Sequence, residues 1–205
     1  MKNIQKALLA AIPYIIIRLL FIFAPLETAR FDQSVTDFVI PFRNGIANTY
    51  FHTMTALANE EFVVIAILVM LLTIAVAFKK WRIALVYLLG VVIGNLWVNP
   101  TLKNLFKRER PSAEFQLVSE SSFSFPSGHS FASAMIYPLT AYVLMRYTNL
   151  NRYPKIVTTT VAVIVFSIGF SRIYLGVHFL TDVIAGYSLG FVFYYLTRFV
   201  IEKID

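Results

Sequence analysis

Apolar residues recur along this chain in runs close to the length of a membrane span, broken by short polar turns. Six such runs can be marked, at about 4–24, 62–78, 83–102, 129–147, 156–172 and 179–200. Each is about 17–22 residues long, which as a helix matches a hydrocarbon core of roughly 30 Å. The pattern predicts an all-α polytopic membrane protein with six transmembrane helices. No hydrophilic stretch is long enough to fold separately, so residues 1–205 form a single domain. The first run follows Lys2 and Lys6 in the manner of a signal peptide, but it continues to about Ala24 without a small-residue cleavage site and is kept as a span. Pro13 and Pro138 fall inside spans one and four, where kinks are expected.

The long connection at residues 25–61 departs from this pattern. Ser34-Val35-Thr36-Asp37 has the form of a capping box, and Phe38, Val39, Phe42 and Ile46 follow near helical spacing. A short amphipathic helix lying at the outer interface is expected there. His52, in the same segment, is given no role.

Composition agrees with a bilayer location. Hydrophobic residues make up 58% of the chain, against roughly 45–50% in ordinary soluble domains. Cysteine is absent, which removes disulfides, thiol nucleophiles and cysteine-bound metals. The formal net charge is +7, but its basic residues are scattered through short loops and do not form a nucleic-acid surface. Their distribution sets an orientation. Lys2, Lys6, Lys79, Lys80, Arg82, Arg146, Arg152, Lys155, Arg198 and Lys203 all fall on one side. The connection between spans one and two, on the opposite side, carries Glu27, Asp32, Asp37, Glu60 and Glu61 against Arg30 and Arg43. The positive-inside rule then puts both termini in the cytoplasm. Arg18 lies within span one, where a charge is a candidate for function, but near the outer end, from which snorkelling to the headgroups is the expectation.

Candidate chemistry gathers at the outer span ends. Lys103 and Arg110 are two helical turns apart and share a face if the span-three helix continues that far. Pro126-Ser127-Gly128-His129 leads into span four, where Gly128 permits close backbone approach and the helix N-terminus favours an anion. Arg172 ends span five, while His178 and Asp182 open span six at a spacing of four. That spacing allows a carboxylate to orient one imidazole nitrogen while Arg172 forks onto phosphate oxygens. Considered alone, the same residues also suit a locally satisfied polar loop. Helix count and loop charge bring all three groups to one face.

Together, Lys103-x6-Arg110-Pro111, Pro126-Ser127-Gly128-His129 and Ser171-Arg172-x5-His178-x3-Asp182 resemble the signature of the type-2 phosphatidic acid phosphatase family. That superfamily includes lipid phosphate phosphatases, glucose-6-phosphatase and vanadium haloperoxidases. The likeness covers residues 103–182 and implies a metal-independent lipid phosphatase that needs no cofactor. It implies His178 as nucleophile, Asp182 as its orienting acid and His129 as proton donor to the leaving group. Lys103, Arg110, Ser127, Gly128 and Arg172 would bind the phosphate. The small size and outward-facing site are similar to bacterial members that hydrolyse phosphatidylglycerophosphate to phosphatidylglycerol. Undecaprenyl diphosphate and phosphatidate are alternative substrates carrying the same blocks, and a lipid transporter or flippase is the alternative of a different class. The expected partners are a phospholipid or polyprenyl phosphate substrate in a bacterial plasma membrane, with no nucleic acid and no obligate protein partner.

Overall fold

Inside a bilayer the backbone has no water to bond, so an apolar chain closes its own hydrogen bonds as helices. The computed structural model describes residues 2–205, and no strand occurs among the described residues. Helix α1 (Lys2–Phe23) passes at Ala24 straight into α2 (Pro25–Val39), with Pro25 at a helix start, where its missing N–H costs nothing. After a 3-10 turn, Asn44 caps α3 (Gly45–Ala56) by accepting from the Ala47 N–H at 3.0 Å. Helices α4 (Glu60–Ala77) and α5 (Trp81–Phe106) form a hairpin. The chain is completed by α6 (Gly128–Tyr147), α7 (Pro154–Tyr174) and α8 (Leu180–Ile204).

Helices α1, α4, α5, α7 and α8 are long and apolar enough to cross a membrane. Helix α6, at 20 residues, has the length but is less apolar, carrying Ser130, Ser133, Tyr137 and Thr140. Its position accounts for this. It packs against both α7 and α8, so much of its surface meets protein rather than lipid, and Ser130, Phe131, Ala134, Met135 and Leu139 are buried. Helix α1 lies along α8, α5 also packs on α8, and α3 lies across α7.

The first outer connection differs from the expected single short helix. Pro25 starts a helix directly after α1, so Ser34 lies inside α2, and its hydroxyl donates to the Phe31 carbonyl at 2.7 Å instead of capping. Thr28, Asp32 and Thr36 recur every four residues on the buried face of α2, whereas Leu26, Phe31 and Phe38 are exposed. This polar-in, apolar-out arrangement is the reverse of a soluble amphipathic helix and suits contact with lipid.

Proline is accommodated without ending the spans. Beside Pro13, the Ser188 hydroxyl of α8 accepts from the Tyr14 N–H at 3.1 Å and donates to the Ala10 carbonyl, bridging the gap in the α1 ladder. In α5 a π-turn at Ile93–Val98 widens the helix just before Pro100.

Small residues draw α6 and α8 together. A Cβ placed on Gly186 would lie 2.5 Å from the Ser127 carbonyl oxygen, and one on Gly190 would lie 2.5 Å from that of Phe131. Lipid tails are as apolar as leucine, so such close packing is a main source of association between spans. It also fixes the distance between the N-terminal ends of these helices. Replacing Gly186→Val should therefore destabilise the protein by about 1–3 kcal/mol through overpacking. The expected result is a midpoint several degrees lower in detergent unfolding; an unchanged midpoint would show that this seam does not constrain the bundle.

Candidate active site

Helix α5 stops at Phe106 because Lys107 adopts the left-handed conformation (φ 46°), its N–H donating to the Lys103 carbonyl at 2.9 Å. Lys103 and Arg110 therefore do not share a helical face, as the spacing suggested. Arg110 arrives instead on the loop 107–127, which folds back over the ends of the helices. That loop is tied down by backbone bonds from Ser124 N–H to Arg108 and from Leu117 N–H to Leu175, at 2.8 and 2.9 Å. Loop and helix still bring the two cations together. Lys103, Arg110, Glu120, Gly128, His129 and His178 line one cavity of about 570 Å³.

His178 is 2% exposed, in the turn between α7 and α8. An Arg110 terminal nitrogen lies 3.1 Å from its Nε2. Guanidinium can only donate, so Nε2 presents a lone pair and the proton resides on Nδ1. Burial, followed by the charges of Arg110, Arg172 and Lys103, holds His178 well below the ordinary imidazole range. It is thus neutral at physiological pH.

The spacing of four suggests a direct bond between His178 and Asp182. Their nearest atoms, Nδ1 and Oδ2, are 3.6 Å apart, beyond a good hydrogen bond. Ser124 closes the gap. Its hydroxyl oxygen is 3.2 Å from Nδ1 and donates to Asp182 Oδ2 at 2.5 Å. Asp182 also accepts from the Phe179 N–H at 2.9 Å and from Arg108 at 2.6 Å. The other arm of Arg108 reaches the fully buried Asp32 of α2 at 2.6 Å, and Asp32 accepts further bonds from Thr181.

Arg172, 2% exposed, bonds Thr55 of α3 at 2.5 Å and the Glu120 carboxylate. Its Nε is buried without a partner. The same carboxylate is 3.7 Å from Arg110, and Lys103 donates to the Phe123 carbonyl. Burial lowers the Arg110 pKa while Glu120 and Asp182 oppose the shift. His129 Nε2 lies 3.0 Å from the side-chain oxygen of Asn59, just before α4. Both histidines thus face one cavity, at the same end of the bundle.

Ser127 departs from the expected role. Its side chain caps α6, accepting from the N–H and hydroxyl of Ser130, and does not line the cavity. Glycine at 128 leaves room instead: a Cβ there would be 3.4 Å from Asn99 Oδ1. The orphan N–H groups of the first α6 turn are available to an anion. Ser124, Glu120, Asn59, Asn99, Arg108 and Asp32 were not identified from the sequence. Asn99, 4% exposed, lines the cavity with an amide nitrogen that has no partner. Only Asp32, an acid beside an apolar span, carried a local signal.

Away from the charged end, the cavity continues between α4 and α5 along Val63, Ile67, Leu88 and Val92. A site of this shape accepts an amphiphile, with an anionic group among the cations and an apolar tail between helices. A neutral imidazole nitrogen and a second imidazole, both facing the cavity, are group types that nucleophilic attack and proton donation call for.

The PAP2 superfamily model matches residues 81–204, which include all the cavity-lining cations and both histidines. Phosphatidylglycerophosphatase B of Bacillus subtilis is 36% identical over 174 residues, covering 84% of each chain. Dolichyldiphosphatase of Saccharomyces cerevisiae is 31% identical over 166 residues, covering 74% of this chain and 66% of that one. The crystal structure of a transmembrane PAP2-type phosphatidylglycerolphosphate phosphatase from Bacillus subtilis matches with a TM-score of 0.89 and 33% identity over 98% of both chains. Aquifex aeolicus LpxE shares the fold, with a TM-score of 0.60 and 22% identity over 81% of this chain and 93% of that one. With the family model spanning more than half of its length and the fold shared almost end to end, this chain belongs to the PAP2 superfamily.

Proposed function

We propose that this protein is an integral membrane phosphatase that hydrolyses the phosphomonoester of phosphatidylglycerophosphate to phosphatidylglycerol through a phosphohistidine on His178. One observation carries the reaction: a neutral, lone-pair-bearing His178 Nε2 lies beside Arg110 on the wall of a cavity that Lys103 and His129 also line. A phosphate dianion entering there takes the place of the cavity-lining Glu120 carboxylate on the guanidiniums of Arg110 and Arg172. Lys103 and the first N–H groups of α6 then complete the cradle for the equatorial oxygens.

In the first step the His178 Nε2 lone pair forms a bond to phosphorus, and the bond from phosphorus to the lipid oxygen breaks. His129 gives its proton to that oxygen, a contribution worth roughly 10²–10⁴ in rate. Ser124 and Asp182 hold the Nδ1 proton and offset the positive charge that develops on the ring. In the second step His129 takes a proton from water, whose oxygen displaces Nε2 and releases phosphate. The gap between α4 and α5 receives the acyl chains.

The substrate assignment rests on the Bacillus subtilis relatives, whose names specify a phosphatidylglycerophosphate phosphatase. A polyprenyl diphosphate is the second reading, supported by the yeast relative named dolichyldiphosphatase. Grouping of the polar residues at one end of the bundle favours hydrolysis over transport, which calls for sites near the midplane. The distribution of basic loops supports six spans including α6, cytoplasmic termini, and a site facing outward from a bacterial plasma membrane.

Initial rates on phosphatidylglycerophosphate, phosphatidate and undecaprenyl diphosphate in one detergent test the substrate. The first should turn over fastest; a clear preference for the diphosphate would replace the assignment. His178→Ala should abolish turnover while leaving part of the orthovanadate binding, and near-normal turnover would remove His178 as the nucleophile. Ser124→Ala should lower kcat by roughly 10–100-fold, by analogy with the cost of losing a partner that orients a metal-bound histidine. KM should change little and Ser124→Thr should restore most of the rate. An alanine variant with unchanged kcat and an unchanged pH profile would show that the hydroxyl does not position the ring.

A further inference from the structure

Arg18 has no carboxylate partner among the described residues and makes no hydrogen bond there. Its guanidinium carbon lies 3.7 Å from the Phe106 ring centre and 5.9 Å from that of Phe21. It borders a pocket of about 290 Å³, separate from the catalytic cavity, lined also by Phe21, Thr28, Phe106, Arg108 and Phe125. The other cation of this pocket is already balanced. Arg108 bonds Asp32 and Asp182 and lies between the rings of Phe21 and Phe179, at 4.7 and 4.5 Å. One uncompensated positive charge with free donors therefore faces a hollow walled by aromatic rings, on the outermost turns of α1.

A guanidinium within a span is costly unless an anion meets it. Its fork of donors matches the oxygens of a phosphate group. The surroundings select the source of that phosphate. Leu19, Leu20 and Leu26, exposed on α1 and α2 and next in sequence to pocket residues, offer an apolar track for acyl chains. We propose that this pocket binds the phosphodiester headgroup of a bilayer phospholipid, distinct from the substrate. The phosphodiester oxygens accept from Arg18 and the tails lie along α1 and α2.

The site has a mechanical connection to catalysis. Phe125, which forms its inner wall, follows Ser124, the bridge between His178 and Asp182. Arg108 holds Asp182 directly, and Phe106 ends the helix that carries Lys103. A lipid filling the pocket supports these three groups from behind. Bound lipid should therefore stabilise the site without touching the substrate.

The test compares full-length wild type, Arg18→Gln and Arg18→Lys, delipidated in maltoside detergent. Orthovanadate is present throughout to occupy the catalytic cradle. Dioleoylphosphatidylglycerol, dioleoylglycerol or inorganic phosphate is added in separate arms, and native mass spectrometry and the unfolding midpoint are read. Wild type should retain one phosphatidylglycerol after weaker adducts are stripped, with a midpoint raised by about 2–4 °C. Arg18→Gln should lose both responses while keeping wild-type activity in lipid-free detergent, and Arg18→Lys should keep part of each. An equal response of Arg18→Gln to phosphatidylglycerol, or of wild type to dioleoylglycerol, would overturn the proposal. A full shift with inorganic phosphate alone would replace the lipid by a free anion.

Discussion

A carboxylate without access to water must fill its lone pairs with protein donors, and Asp182 is wholly buried. Arg108, the Ser124 hydroxyl and the Phe179 N–H supply them. Through the first two of these donors the loop after α5 is held against the start of α8. Arg108 then carries the connection to Asp32 on α2. One buried acid thus ties three stretches of chain together, at the point where the His178 ring must be held. Glycines at 186 and 190 bring α6 into the same cluster and deliver His129 to the shared cavity.

Around this acid the charges are unequal. Lys103, Arg110 and Arg172 converge beside His178, while Glu120 is the carboxylate that Arg110 and Arg172 share. Glu120 is 26% exposed in its side chain and sits on a loop, so its removal from the cations costs less than that of a buried acid. A dianionic phosphate offers more charge and more acceptor oxygens to the same donors. Burial, and after it the same excess of cations, keeps the His178 imidazole unprotonated. The cations that would attract a phosphate therefore act in the same direction as burial on the neighbouring imidazole.

Much of this was legible in the sequence. Apolar run length marked the spans, and loop charge with helix count brought Lys103, Arg110, His129, Arg172 and His178 to one end of the bundle. What was not legible depended on tertiary contacts. No local pattern distinguishes Ser124 from the other serines of its loop, yet it alone fills the 3.6 Å between His178 and Asp182. The left-handed Lys107 that ends α5 is neither glycine nor asparagine, the usual signals for such a turn. Ser34–Asp37 had the composition of a cap but lay inside a helix already started by Pro25. The polar character of α6, which weakens it as a span by composition, reflects its place at the centre of the bundle.

Covalent transfer to His178 is the central claim, and rapid acid-free quenching of the enzyme with phosphorus-labelled substrate tests it most directly. Label should appear on the protein within a single turnover, stable to alkali and lost in acid, and peptide mapping should locate it on residue 178. Label on another residue, or full turnover with no labelled protein at any quench time, would contradict the account.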